Sequence, residues 1–332
     1  MKRKLVFSGR YAGYSLQGLQ KDLLAGLIVA VITIPLGMAF AIASGVKPEY
    51  GIYTSIIGGI LIALLGGSKF QIGGPTGAFV PILFGVVMVY GYENLLVAGF
   101  LAGIILLLMG IFKFGSLIKF IPKPVTIGFT SGIAVIIFVS QIANFLGLKD
   151  VEQHETFFSN LREIIIHIPT INLYSVLTAI ICLITILLTP KFVPKIPGPI
   201  IGLLLSTVAA SLIFPNQVAT IGSTFGEIPN TLPNFRIPEI TFERIQQMVV
   251  PAFIIAVLGS IESLLSAVVA DGMTTSKHNS NRELMGQGIA NIITPLFGGI
   301  PATGAIARTA TNIKNGAVSP FSGIFSGLIV LL

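Results

Sequence analysis

The sequence predicts an all-α integral membrane protein built on an inverted repeat, and three observations predict it. Of the 332 residues, 53% are apolar and only 10% charged, against about 25% charged in an average soluble domain. The apolar residues gather in runs approaching the ~20 residues that carry a helix across a bilayer. A short Gly, Pro, Thr-Gly-Ala pattern occurs twice, with an odd number of spans between equivalent elements. The second copy therefore enters the membrane turned over, as in many secondary transporters.

The first span covers residues 23–44, behind the basic start Met1 to Lys4. The basic stretch continues to Lys21, the apolar run is long, and no small-residue cleavage motif follows. This marks an uncleaved span rather than a signal peptide. Residues 1–22 then form a cytoplasmic N-terminal segment. Further spans follow at 51–66, 76–90, 93–112, 125–146, 173–189, 197–214, 249–270, 284–297, 305–318 and 320–332. That makes about eleven, with the third and tenth as short half-helices. The first repeat takes 23–214 (spans 1–7), an extracytoplasmic loop takes 215–248, and a partial second repeat takes 249–332 (spans 8–11). The mixed-charge stretch 149–172 reads as a solvated loop.

The loops orient the chain. With the N-terminus in the cytoplasm, the inside segments carry Lys2, Arg3, Lys4, Arg10 and Lys21, then Lys69, then Lys113, Lys119 and Lys123. They also carry Lys191, Lys195, Lys277, Arg282 and Lys314, so 14 of the 20 basic residues lie inside. The outside loops hold Lys47, Lys149, Arg162, Arg236 and Arg244 among many acids, Glu93, Glu155, Glu227 and Glu239 among them. This is the positive-inside pattern. It accounts for the net charge of +7 through topology, with no need for a nucleic-acid partner. The single cysteine, Cys182, excludes an intrachain disulfide. His154, His167 and His278 are far apart in sequence and give no metal-ligand spacing, and no cofactor is expected. No nucleophile–base constellation and no phosphate loop are visible, which sets enzymes aside.

The repeat defines the candidate site. Gly73-Gly-Pro-Thr-Gly-Ala-Phe79 parallels Gly299-Ile-Pro-Ala-Thr-Gly-Ala-Ile306, with Thr76 and Thr303 offset by 227 residues. The same offset carries the first span onto the eighth. Gly and Pro at the head of a span break the helix at membrane depth, which is tolerated only where backbone is buried in protein or lines a cavity. Each half-helix then begins inside the membrane with unpartnered N–H groups and the positive end of its dipole. Two such ends facing one another suit an anion. Thr76, Gly77, Ala78, Thr303, Gly304 and Ala305 supply hydroxyls and small side chains there, and for Thr76 and Thr303 a capping role without ligand contact is the competing reading. Arg308, one turn into the tenth span, can reach back to that mouth and add a planar positive fork. Glu262 is the other charge inside a span, with Ser266 one turn further on the same face. Intramembrane carboxylates often serve relays, so Glu262 reads as an ion-coupling group. The competing readings are a structural ion pair with Arg308 and a permanently protonated carboxyl. Asp271, at the end of the same span, reads as a surface charge or cap.

These residues resemble the SulP anion permeases, the bacterial and plant relatives of animal solute carrier family 26. Pro48-Glu-Tyr-Gly-Ile-Tyr-Thr-Ser55 running on to Gly67-Ser-Lys69, then Gly73 to Phe79, then Ala305 to Gly316 are similar to three family motifs in order. The resemblance implies a 7+7 inverted-repeat fold with core and gate domains and an elevator-type movement. It implies an anion site at Phe79, Ala305, Ile306 and Arg308, and an acidic coupling position at Glu262. Pro35 is followed by Leu36 where animal and plant members often have Gln, which fits a bacterial branch, some of it carrying dicarboxylates. The repeat predicts three more spans beyond Leu332, and the STAS domain that most members add is absent from these residues. The implied protein is a secondary active transporter of sulfate, bicarbonate or a dicarboxylate, coupled to H+ or Na+. It is multi-pass in the inner (plasma) membrane and commonly homodimeric. A nucleobase permease shares the architecture, but Arg308 and the second-span motif argue against it. An anion channel or a non-transporting membrane protein is the reading from another class.

Overall fold

The computed structural model describes residues 10, 14–116, 123–154, 156–193, 196–226, 228–229 and 233–332. Most of the expected segment 1–22 lies outside the described residues, as do Lys2, Arg3, Lys4, Lys119, Lys195, Glu155 and Glu227. The described chain is helical, with one two-stranded element. Five of its helices are long and apolar enough to cross a membrane, namely 16–43, 48–65, 92–111, 173–192 and 242–273.

Helix α1 (Leu16–Ala43) starts seven residues before the expected span because Ser15 caps it, its hydroxyl accepting from Gly18 N–H. Helix α2 (Pro48–Tyr53) runs through a π turn (Thr54–Gly58) into α3 (Gly59–Leu65). The half-helix α4 (Val80–Tyr90) precedes α5 (Tyr92–Ile111). The next compact unit, residues 124–228, holds α6 (Lys123–Leu146) but for its first residue, α7 (Phe157–His167), α8 (Leu173–Phe192), α9 (Gly198–Val208) and the short α10 (Ile221–Phe225). The chain returns through α11 (Phe242–Met273), α12 (Ser280–Ile293), the half-helix α13 (Ile306–Lys314) and α14 (Phe321–Leu331).

Two boundaries correct the sequence reading. Helix α11 begins at Phe242 inside the expected loop 215–248, because Thr241 caps it by accepting from Arg244 N–H. The stretch 149–172 contains a helix, α7, capped by Thr156, with only Ile164 buried. There Glu163 approaches both His154 (3.5 Å) and His167 (3.3 Å).

The repeat is visible in the packing. Helices α1 and α11 start 226 residues apart, and so do α4 and α13. Within the first compact unit α1 packs on α14 as α11 packs on α5, and α3 packs on α14 as α12 packs on α5. This unit gathers α1–α5 with α11–α14, so the compact units cut across the two sequence repeats. Its apolar core includes Phe79, Leu83, Leu95, Leu106, Met248, Ile255, Leu284 and Ile300. Small residues let backbones approach: a Cβ on Gly103 would lie 2.6 Å from Ile292 N, and one on Gly288 2.5 Å from Leu107 N. In the other unit α8 packs on α9, where Gly202 faces Ile186 and the Cys182 carbonyl.

Two further acids are buried, although the sequence reading left only Glu262 and Arg308 inside spans. Asp22 accepts from the N–H groups of Val318 (2.7 Å) and Ser319 (3.2 Å) and from the Ser319 hydroxyl. Glu283 accepts from Gly67 N–H (2.7 Å), Ser68 N–H (3.0 Å) and Gln287 Nε2 (2.9 Å). Both are 0% exposed. Each carboxylate ties a loop on one repeat to a helix of the other. Removing the Glu283 carboxylate would orphan two buried N–H groups at about 1–3 kcal/mol each. Glu283→Ala is therefore expected to lower the melting temperature in detergent by the equivalent of about 2–5 kcal/mol. Glu283→Gln, which keeps an acceptor, is expected to lose less. Equal melting of all three proteins would refute the assignment.

Candidate functional site

The site grows from two interrupted segments. After α3, the chain turns at Gly66 and Gly67 and runs extended through Gln71 and Ile72 into β1 (Gly73–Gly74). After α12 and a 3-10 turn at Thr294–Phe297, Gly298 takes φ 73° and reverses the chain. Asn291 then grips Ala302 at both its N–H and its carbonyl, each at 2.8 Å. The chain enters β2 (Thr303–Gly304). The strands pair antiparallel, Gly73 opposite Gly304 and Gly74 opposite Thr303. The two halves of the repeated motif thus cross within the first compact unit, each strand leading into a half-helix. At 1.5 Å per residue, α4 with 11 residues and α13 with nine are about 17 and 14 Å long. That is about half of a ~30 Å hydrocarbon layer, too short for either helix to cross it alone.

Glycine is required at the crossing. Gly74 has φ 149°, and a Cβ there would lie 2.7 Å from Arg308 Nη1. Arg308 is 3% exposed. Its Nη2 donates to the Pro75 carbonyl, in the turn between β1 and α4. Its Nη1 has no hydrogen-bond partner among the described residues. The guanidinium therefore reaches from α13 across to the head of α4 with one nitrogen uncommitted. The N–H groups of Gly77 and Ala78, and of Ile306 and Ala307, likewise carry no hydrogen bond to a described residue. Unpartnered N–H groups are what the first turn of a helix leaves behind.

The carboxylate of Glu262, on α11, accepts from Thr76 Oγ1 at 2.8 Å. No Arg308–Glu262 ion pair within 4.0 Å occurs among the described residues. The ion-pair reading of Glu262 thus lacks its direct contact. Opposite charges share one buried region, with Glu262 held by a hydroxyl and Arg308 by a backbone carbonyl.

Other expected site residues are turned to the framework. The Thr303 hydroxyl lies 2.6 Å from Ser263 Oγ and 3.2 Å from the Gly259 carbonyl. Gly304 N–H donates to Ser263 Oγ, and Ala305 N–H to the Ile72 carbonyl. Ser266 donates to Thr309 Oγ1 rather than reaching Glu262. Phe79 is 1% exposed, and its ring fills the space beside Gly259 and Leu106. Thr76, Gly77, Ala78, Ile306, Arg308 and Glu262 are left around the crossing. The sequence reading missed Gln71, Ser263 and Thr309. Gln71 Nε2 donates to the Ser263 carbonyl across β2, and Thr309 Oγ1 accepts from Ile72 N–H. The one available signal was that Ser263 and Thr309 adjoin Glu262 and Arg308.

Comparison with known proteins follows the same lines. The sulfate permease family matches residues 19–332. YvdB of Bacillus subtilis, named as a candidate sulfate transporter, is 63% identical over 326 residues, covering 98% of this chain and 62% of the relative. The bicarbonate transporter BicA of Picosynechococcus is 32% identical over 335 residues, covering 95% of this chain and 57% of the relative. The chain thus spans about three fifths of the length of these relatives. The solved transmembrane domain of a cyanobacterial BicA superposes with a TM-score of 0.82 at 30% identity, covering 95% of this chain and 82% of that one. Murine Solute Carrier 26 family member A9 in its inward-facing state shares the fold, with a TM-score of 0.80 at 19% identity over 94% of this chain and 56% of that one.

Proposed function

The chain belongs to the sulfate permease family, and on that premise we propose that it works as a secondary active anion transporter. The substrate is a small oxyanion such as sulfate or bicarbonate, or a dicarboxylate. One observation carries the reading: Arg308 holds an uncommitted buried nitrogen where two half-helix N-termini meet. A buried cation with an open donor is strained unless an anion visits it. The anion sits at the crossing, bound by Arg308 Nη1 and by the N–H groups at the heads of α4 and α13. Thr76, Gly77, Ala78, Ile306 and Arg308 line it, while Thr303, Gly304, Ala305 and Phe79 fix its walls. Glu262 is the coupling group. It takes up H+ or takes part in binding Na+, and Ser266 steadies α13 through Thr309. The first compact unit moves as the carrier in an elevator-type cycle. The protein lies in the plasma membrane with its N-terminus in the cytoplasm, either alone or paired with a second copy.

Uptake into proteoliposomes tests this. Labelled sulfate, bicarbonate and fumarate would be offered with and without an inward proton or sodium gradient. Saturable uptake of one of them, raised by one gradient, is the expected result. Non-saturating flux would favour a channel. No flux of any of the three through folded protein would overturn the reading for these anions.

A further inference from the structure

The loop joining α11 to α12 holds a cluster that the transport reading does not use. The sequence reading saw no nucleophile–base constellation, yet the fold assembles one from three residues within ten positions. Asp271, at the end of α11, places Oδ2 2.8 Å from His278 Nδ1. Both of its oxygens also accept from the His278 backbone N–H at 3.1 Å. His278 Nε2 lies 2.9 Å from Ser280 Oγ. A carboxylate only accepts, so Nδ1 carries the proton, and Nε2 is left as the acceptor of the Ser280 hydroxyl. The His278 side chain is 8% exposed and the Asp271 side chain 23%. The imidazole is thus clamped on one side and aimed at a serine on the other.

The serine is accessible and sits where developing charge would be stabilised. Ser280 opens α12, and its own N–H has no hydrogen-bond partner among the described residues. The three side chains border an open cavity of about 560 Å³, also lined by Thr274, Ser276 and Lys277. Thr274 and Ser276 bond one another at 2.9 Å, and Thr274 also donates to the Ala270 carbonyl. Ser280, the first residue of α12, places its hydroxyl within hydrogen-bond distance of the imidazole.

The geometry points to Ser280 as a base-activated modification site that accepts an acyl group from an activated ester. Ser280 Oγ bonds to the ester carbonyl carbon while its proton passes to His278 Nε2. Asp271 holds the resulting imidazolium through Nδ1–H, and the Ser280 N–H faces the developing oxyanion. Collapse breaks the ester C–O bond, and the departing aryloxide takes the proton back from Nε2. The products are acyl-Ser280 and a phenol, with nothing oxidised or reduced.

The test uses the full chain in detergent with p-nitrophenyl acetate, followed by peptide mass mapping. Acetylation of Ser280 is expected, and Ser280→Ala should remove it while any background on Lys277 persists. Base assistance is worth about 10²- to 10⁴-fold, so His278→Gln should slow labelling of Ser280 about a hundredfold. Asp271→Asn, which leaves the backbone donor an acceptor, should slow it at least tenfold by the same principle. Circular dichroism and gel filtration would confirm that each variant is folded. Labelling confined to Lys277, no labelling of Ser280, or equal rates with and without the imidazole would each overturn the assignment.

Discussion

Arg308→Ala is expected to abolish saturable anion uptake while leaving the protein folded. The side chain bonds one backbone carbonyl, so its framework role is small. Its ligand role is larger, because the open Nη1 belongs to a buried guanidinium whose delocalised positive charge has only one hydrogen-bonded partner among the described residues. Truncating one side of a buried, hydrogen-bonded charge pair costs about 2–5 kcal/mol, which is roughly 30-fold to several thousandfold in affinity. Arg308→Lys tests the geometry. Lysine keeps the charge but has no fork, so it cannot hold the Pro75 carbonyl and an anion along two fixed directions. It should recover part of the affinity and none of the selectivity among oxyanions. Uptake unchanged in Arg308→Ala would remove the anion from the crossing altogether.

How far the sequence reached can be judged residue by residue. Spans were legible because an apolar run has a length set by the bilayer, and α5, α6 and α14 fall within two residues of their expected bounds at each end. The start of α11 was not, since Glu243, Arg244, Gln246 and Gln247 make its first turns polar. The Thr241 cap was in plain view but carries little weight alone. Helix α7 was hidden for a similar reason, its charged face resembling a solvated loop. The break at Gly73 to Thr76 was legible from glycine and proline. The two-residue ladder that pairs it with Thr303–Gly304 was not, because periodicity has no meaning over two residues.

The same limit applied to the site. Glu262 and Arg308 stood out as lone charges in apolar runs. Asp22 and Glu283 did not, because each lies near a span end where an acid is ordinarily wet. What buries them is 297 residues away in one case and 216 in the other. Thr303 was assigned to the ligand by symmetry with Thr76, but the repeat is inexact where it matters. One extra residue separates Pro301 from Thr303, against none between Pro75 and Thr76. Thr76 meets Glu262 and Thr303 meets Ser263, one position on along α11. One threonine thus meets a carboxylate and the other a serine on the same helix, and the two halves of the site have different chemistry.

That asymmetry leads to the second large effect, expected in Glu262→Gln. Glutamine is nearly isosteric with glutamate and can still accept from Thr76 Oγ1, so the head of α4 should stay where it is. It cannot change its charge, however. With Arg308 fixed and positive, the ionised Glu262 makes the side-chain pair neutral, and a proton or a cation on Glu262 restores the positive field that an anion needs. Two opposite unit charges beyond 4 Å attract by less than about 4 kcal/mol at an effective dielectric of about 20, and the guanidinium acts on the buried Glu262 carboxyl through that attraction. Anion binding and cation binding are then linked, and each raises the affinity for the other by the same factor. In Glu262→Gln that link is cut, since the site is permanently in its positive form. Anion exchange across the proteoliposome membrane should persist at zero gradient, and the gradient-driven component of net uptake should vanish. Glu262→Ala separates charge from structure, because it also frees Thr76 and should lower affinity as well. Gradient dependence retained in Glu262→Gln would move the coupling group elsewhere and leave Glu262 as the acceptor that seats Thr76.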